Sequence, residues 1–85
     1  MRDRPDEMIY TERRDATKNM ARFYALSIEP TLFGETCLIR RWGRIGTHGQ
    51  TKSMCFASDT EATAQLAEIH RQKMRRGYRE RATEA

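Results

Sequence analysis

The stretch TCLIRRWGRIGTHGQTKSMCFA (residues 36–57) decides the fold. Residues 36–45 are rich in β-branched, aromatic and other apolar side chains, which favours a strand. The segment GTHG (46–49) is typical of a tight turn, and residues 50–57 then return as a second strand. Two strands joined by so short a turn pair antiparallel, so the stretch predicts a β-hairpin.

The segments before this hairpin extend the prediction to a meander. Residues 22–29 alternate regularly, residues 29–35 form a loop broken by Pro and Gly, and residues 8–14 form a short first strand. Residues 15–19 are a polar connector. The alternation assigns Tyr24, Leu26 and Ile28 to one face of the sheet and Phe23, Ala25 and Ser27 to the other.

The period changes after residue 57, which predicts one helix. Ser58 followed by Glu61 fits a capping box, and Gly77 is a natural C-terminal stop, so the helix spans residues 59–76. Its apolar stripe packs on the sheet and also carries Lys73, whose stem can follow the apolar surface. The predicted fold is α+β, a small antiparallel β-sheet with one helix packed across a face. The apolar stripe is formed by Ala62, Leu66 and Ile69.

Length and composition indicate one small domain. The chain has 85 residues, of which 38% are hydrophobic and 33% charged. We expect a disordered N-terminal extension at 1–7, a folded domain at 8–79 and a disordered C-terminal tail at 80–85. No apolar run approaches a membrane span or follows the charged N-terminus as in a signal peptide, so we expect no membrane association. The thin core argues against a deep enzymatic pocket.

The two cysteines, Cys37 and Cys55, lie in separate strand-like runs. Only His48 and His70 could join them as ligands, and zinc sites need about four, so we expect neither a metal site nor a cofactor. We interpret the cysteines as buried free thiols and expect a reducing, cytoplasmic setting.

The formal net charge of +4 is concentrated rather than spread, and 13 of the 16 cations are arginine. Arg40, Arg41 and Arg44 surround Trp42, an unfavourable like-charge cluster unless an anion neutralises it. Two alternatives remain open: the charge serves solubility, or these arginines pair with carboxylates on neighbouring strands. Those carboxylates are Glu12, Glu29 and Glu35. A second cluster of six cations lies near the predicted helix end. Cations there complement the helix dipole, but six are more than a helix cap needs. They are Arg71, Lys73, Arg75, Arg76, Arg79 and Arg81.

Trp42 is the single tryptophan, and a lone tryptophan in a small domain is most often a core residue. Its place at a strand end among cations favours a ligand contact instead. Gly43 leaves space beside the indole for a ligand backbone or sugar. Trp42 and Arg44 are two residues apart and therefore share a face, so the indole can pack on a base or sugar while the guanidinium binds phosphate.

The run RWGRIG (41–46) followed by THGQ (47–50) resembles the signature of the WGR domain family. The resemblance covers about residues 8–78, including the aromatic strand RFYAL (22–26) and the ending KMRRGY (73–78). WGR domains are antiparallel sheets with one helix across a face. In poly(ADP-ribose) polymerases this module binds DNA at strand breaks. The resemblance does not imply ADP-ribosyl transfer, because the chain shows no catalytic domain.

The resemblance also implies roles for individual residues. Trp42 would pack on the sugar of a terminal nucleotide, Arg44 would contact the nearby backbone, and Asn19 would touch phosphate. Further candidates are the turn at 46–50 and the helix end. The full set of expected nucleic-acid-binding residues is Asn19, Arg40, Arg41, Trp42, Gly43, Arg44, Lys73, Arg76 and Tyr78.

These observations predict a nucleic-acid-binding module that contacts DNA through sugar and phosphate, with a preference for ends or breaks. The alternative is a protein–protein interaction adaptor that uses the same Trp/Arg surface. We expect that the protein is not an enzyme and has no small-molecule substrate. Neither His48 nor His70 has a readable arrangement of a nucleophile or an acid near it in the sequence.

Overall fold

A computed structural model describes residues 8–80, which form a five-stranded antiparallel sheet crossed by one α-helix. A short 3-10 turn at Ala16–Lys18 joins the first two strands. The predicted α+β fold is confirmed. The elements are β1 (Met8–Asp15), β2 (Met20–Pro30), β3 (Thr36–Arg44), β4 (Gln50–Phe56), α1 (Asp59–Arg75) and β5 (Arg79–Glu80).

The strands lie in the order β4-β3-β2-β1-β5. The first four form the expected meander, while β5 returns after the helix and pairs with β1 through Thr11 and Glu12. The strand β5 was not predicted, and Glu80, which was expected in the C-terminal tail, lies opposite Thr11 in the sheet. The predicted extension at 1–7 and residues 81–85 of the predicted tail lie outside the described residues.

The helix covers one face of the sheet and closes the main core there. Leu26, Ile28 and Leu38 are at most 2% exposed beneath it. The helix N-terminus is fixed as predicted, because the Ser58 hydroxyl accepts a hydrogen bond from the Glu61 N–H at 3.2 Å. The helix supplies three side chains to this core, Ala62, Leu66 and Ile69.

The opposite face of the sheet has no helix over it among residues 8–80. Phe23 is nevertheless only 2% exposed. Its ring stacks against Tyr10 at 6.0 Å and lies beneath the guanidinium of Arg41, 4.8 Å from the ring centroid. Long neighbouring side chains therefore bury Phe23 on a face that no described helix covers.

The interpretation of Cys37 and Cys55 as buried free thiols is wrong. The two residues lie directly opposite each other on β3 and β4, and they form a disulfide. Cys55 is exposed, and Cys37 is half-buried. Because disulfides persist in oxidising surroundings, the cysteines no longer support the cytoplasmic setting, which stays a prediction. No helix among residues 8–80 is long and apolar enough to cross a lipid bilayer.

Candidate nucleic-acid interface

The register of the sheet arranges residues into rows that run across the strands. Tyr24 lies opposite Trp42, which in turn lies opposite Gln50. In the next row on the same face, Arg22 lies opposite Arg44. Arg22 is two residues before Tyr24 on β2, and Arg44 is two residues after Trp42 on β3. Residues two apart on a strand share a face, so Trp42 and Arg44 both lie on the helix side of the sheet, as expected.

Trp42 is half-buried rather than fully presented to solvent. Its ring stacks against Tyr24, with the centroids 6.0 Å apart and the planes at 20°. The guanidinium of Arg40 lies over the indole at 5.7 Å from its centroid. One part of the ring packs against the core, and the rest is exposed to solvent. The ligand contact of Trp42 stays a prediction.

Arg13, Arg22 and Arg44 form an arginine row on the helix side of β1, β2 and β3. Arg13 lies opposite Arg22, and Arg22 lies opposite Arg44. Like charges directly opposite on neighbouring strands are destabilising. None of the three has an ion-pair partner among residues 8–80. A bound polyanion would relieve this repulsion.

Arg13 and Arg22 were not among the residues predicted to bind nucleic acid. Arg13 lies in the weak first strand, and Arg22 stands 20 positions before the motif tryptophan. Gly77 makes room for Arg13, because a Cβ at Gly77 would lie 3.3 Å from the Arg13 Nε. The signal that could have found the row is the hairpin register, which pairs Arg22 with Arg44 once β2 and β3 are aligned.

A second cationic group flanks the other side of the aromatic residues. Arg40 lies opposite Lys52, and its Nη1 donates to the Tyr24 hydroxyl at 3.4 Å. The Lys73 ammonium lies over the Tyr24 ring, 4.4 Å from its centroid. Burial lowers the pKa of Lys73, and the charges of Arg76 and Arg40 lower it further. The stem of Lys73 was expected to follow the apolar surface with the ammonium at its edge, but the ammonium rests over the Tyr24 ring.

Two of the expected contact residues have structural roles away from the indole. Arg41 lies on the opposite face of the sheet, where its Nη1 donates to the His48 carbonyl at 2.7 Å and holds the β3–β4 turn. A Cβ on Gly43 would lie 2.8 Å from the Gly49 Cα. The turn therefore occupies the place of a Cβ at Gly43, and close backbone packing is one reason for glycine at this position.

The remaining expected residues differ in how accessible they are. Asn19 is exposed in the β1–β2 turn with a left-handed φ of 52°, at the same end of the sheet as the arginine row. Arg76 is exposed at the helix C-terminus. Tyr78 is only 8% exposed and packs edge-on against Tyr24 at 6.2 Å, so it is mainly a core residue.

The aromatic residues and the arginine row meet at a cleft of about 310 Å³, which we call the cationic cleft. It combines apolar ring surface with guanidinium groups at its rim. Gly43 also lines this cleft, so the space expected beside the indole is present there, while a ligand contact stays a prediction. The lining residues are Arg22, Phe23, Trp42, Gly43, Arg44, Gln50 and Tyr78.

The alternative that carboxylates neutralise the motif arginines is not what the described residues show. Glu12 bonds Arg14, at 3.0 Å to its Nη2, and accepts a hydrogen bond from the Tyr10 hydroxyl at 2.9 Å. Within residues 8–80, no ion pair links a carboxylate to Arg40, Arg41 or Arg44.

The fold and the surface define a small α+β binding domain whose exposed aromatic–arginine cleft suits an anionic polymer. Comparison with known families gives this class a name. Residues 7–85 match the WGR domain model, so the chain belongs to the WGR domain family. WGR domains are binding domains rather than catalytic ones, and in poly(ADP-ribose) polymerases they bind nucleic acid.

A curated relative from Sinorhizobium fredii (strain NBRC 101917 / NGR234), the uncharacterized protein y4dW, is 52% identical over 73 residues. The match covers 86% of this chain and 36% of the relative, so the chain spans about a third of that protein's length. No solved structure matches the chain.

Proposed function

We propose that this domain binds DNA through its sugar–phosphate backbone, with a preference for ends or breaks. The observation that carries the proposal is the placement of Trp42 between two cationic groups. The arginine row lies on one side of the indole, and Arg40, Lys52 and Lys73 lie on the other. Along a nucleotide chain, a sugar with its base likewise lies between two phosphates.

The preference for ends rests on the indole's position. Trp42 lies at the end of β3, two residues from the last residue of the strand, and packs flat on Tyr24. A ring held in this way can cover the sugar or base of a terminal nucleotide. In continuous duplex the neighbouring nucleotide occupies that face. Phosphate and sugar contacts carry little sequence information, so we expect weak sequence dependence.

Fluorescence anisotropy with labelled blunt-ended duplex tests the proposal, using nicked and covalently closed circular DNA as competitors. Blunt and nicked DNA should compete better than closed circles of the same sequence. Arg44→Ala and Trp42→Ala should each weaken binding by about 1–3 kcal/mol. Arg44 is exposed, so its variant keeps the fold. Arg71→Ala is the matched control, because Arg71 pairs with Glu68 on the helix surface.

Tight binding by both variants would contradict the proposed site, and equal competition by closed circles would contradict the preference for ends. A pull-down from nuclease-treated lysate distinguishes the adaptor alternative. Partners that require Trp42 and persist after nuclease treatment would favour a protein ligand for this surface.

A further inference from the structure

The loop between β2 and β3 exposes two large apolar side chains at the tip of a hairpin. Leu32 is 96% exposed and Phe33 is 89% exposed. Single exposed apolar residues are ordinary, but these two are adjacent and almost fully exposed, so they form an apolar patch with no covering side chain among residues 8–80. We call residues 31–35 the hairpin tip.

The hairpin tip is an ordered turn. The Thr31 hydroxyl oxygen accepts hydrogen bonds from the N–H groups of Phe33 and Glu35, each at 3.2 Å. The Thr31 N–H donates to the Glu35 carbonyl at 2.9 Å, which closes the loop. Gly34 supplies the positive φ of 89° that the turn requires. A turn fixed in this way can present Leu32 and Phe33 at a low entropic cost of binding.

Within residues 8–80, the hairpin tip lies at an acidic end of the sheet. Residues 27–39 and 56–64 contain no lysine or arginine. Thr36 donates a hydrogen bond to Asp59, which brings the helix N-terminus beside the base of the hairpin. The tip therefore combines apolar side chains with a negative surround, formed by Glu29, Glu35, Asp59 and Glu61.

The opposite end of the same sheet carries the complementary surface. The cationic cleft there offers aromatic walls and the guanidinium groups of Arg22 and Arg44. The cleft of one molecule cannot receive its own tip. Arg22 and Pro30 are eight residues apart on one extended strand, about 26 Å at 3.3 Å per residue.

We propose that the hairpin tip of one copy docks into the cationic cleft of a second copy. Leu32 and Phe33 would contact the aromatic walls, and the acidic surround would face Arg22 and Arg44. The contact is heterologous, because it joins different surfaces of the two copies, so it leaves one tip and one cleft free for further copies. Nucleic acid and a second copy compete for the cleft. The self-association requires the cleft but not nucleic-acid binding.

Two complementary variants test the contact by sedimentation velocity in the absence of DNA. The tip variant, Leu32→Ser/Phe33→Ser, keeps its cleft, and the cleft variant, Arg22→Ala/Arg44→Ala, keeps its tip. At low ionic strength the wild-type chain should self-associate in a concentration-dependent manner, and each variant alone should associate at least about tenfold more weakly. An equimolar mixture of the two variants should form a 1:1 dimer and nothing larger.

Salt and DNA give independent readouts of the same contact. At about 1 M salt, where the Debye length is about 3 Å, the wild-type association should weaken strongly. A short duplex should dissociate the wild-type assembly if the proposed function also holds. Arg14→Ala is the control, since its guanidinium pairs with Glu12 on the other face, and this variant should associate like the wild type.

A monomeric wild-type chain at all concentrations would overturn the inference. It would also be overturned if the cleft variant alone associated like the wild type, or if the mixture formed no dimer. If the cleft variant unfolds, the charge reversal Glu29→Lys/Glu35→Lys tests the contact from the other side, and undiminished association would refute it. Self-association without DNA binding would contradict only the proposed function. DNA binding by a strictly monomeric chain would contradict only the proposed self-association.

Discussion

The arginine row predicts a specific change in how DNA binding depends on salt. Each cation that neutralises a phosphate contributes about 0.9 to the slope of log affinity against log salt concentration. Arg22 and Arg44 lie opposite each other with no carboxylate partner among residues 8–80, so each is available to one phosphate. Replacing both with alanine should reduce the slope by about 1.8.

This change is large enough to measure by fluorescence anisotropy. Between about 50 and 200 mM salt, a slope of 1.8 corresponds to an affinity change of about twelvefold. The wild-type domain should therefore lose about twelvefold more affinity than Arg22→Ala/Arg44→Ala over this range. The measurement compares slopes, so it separates lost phosphate contacts from a uniform loss of active protein.

Arg14→Ala is the matched control for the arginine row. Arg14 is adjacent to Arg13 in sequence, but its side chain lies on the opposite face and its Nη2 is 3.0 Å from Glu12. Its removal should leave the slope unchanged. Equal slopes for the wild type and for a folded Arg22→Ala/Arg44→Ala variant would refute phosphate binding by this row.

Three further predictions concern stability. Reduction of the Cys37–Cys55 disulfide, which spans a sequence separation of 18, should lower the free energy of unfolding by about 3 kcal/mol. Urea denaturation with and without reductant checks it, with Cys37→Ser/Cys55→Ser insensitive to reductant. Gly49→Ala should destabilise by more than about 1 kcal/mol, because a Cβ would collide with the Trp42 carbonyl at a φ of 79°; a normal melting temperature would contradict this. Ser58→Ala should cost about 1 kcal/mol in the same urea assay through loss of the N-cap, whereas Ser58→Asp should retain the stability.

The strands and the helix were predictable because their signals are local. Alternation in β2, the glycines of the β3–β4 turn and the Ser58 cap each act within a few residues. The short β5 gave no such signal, since Arg79 and Glu80 are both polar and exposed. It exists because the chain after the helix returns to the free edge of β1, which is a tertiary event.

The candidate site was predictable only where its parts are close in sequence. Trp42 and Arg44 stand two residues apart, so their shared face follows from the strand period alone. The position of Arg22 depends on which residue of β3 it faces, and a shift of one residue in register would move it to the other side of the sheet. The pairing of Cys37 with Cys55 depends on register in the same way.

The net charge of +4 understates the polarity that the fold creates. A composition of 16 cations and 12 anions describes a mildly basic chain, yet the hairpin register places Arg22 and Arg44 in one row at one end of the sheet. In the described part of the chain, the segments around the hairpin tip at the other end, residues 27–39 and 56–64, contain carboxylates and no lysine or arginine. Opposite charge at opposite ends gives the domain an orientation toward a polyanion that net charge alone cannot supply. The DNA-binding proposal uses only the cationic end of the sheet, whereas the self-association proposal uses both ends.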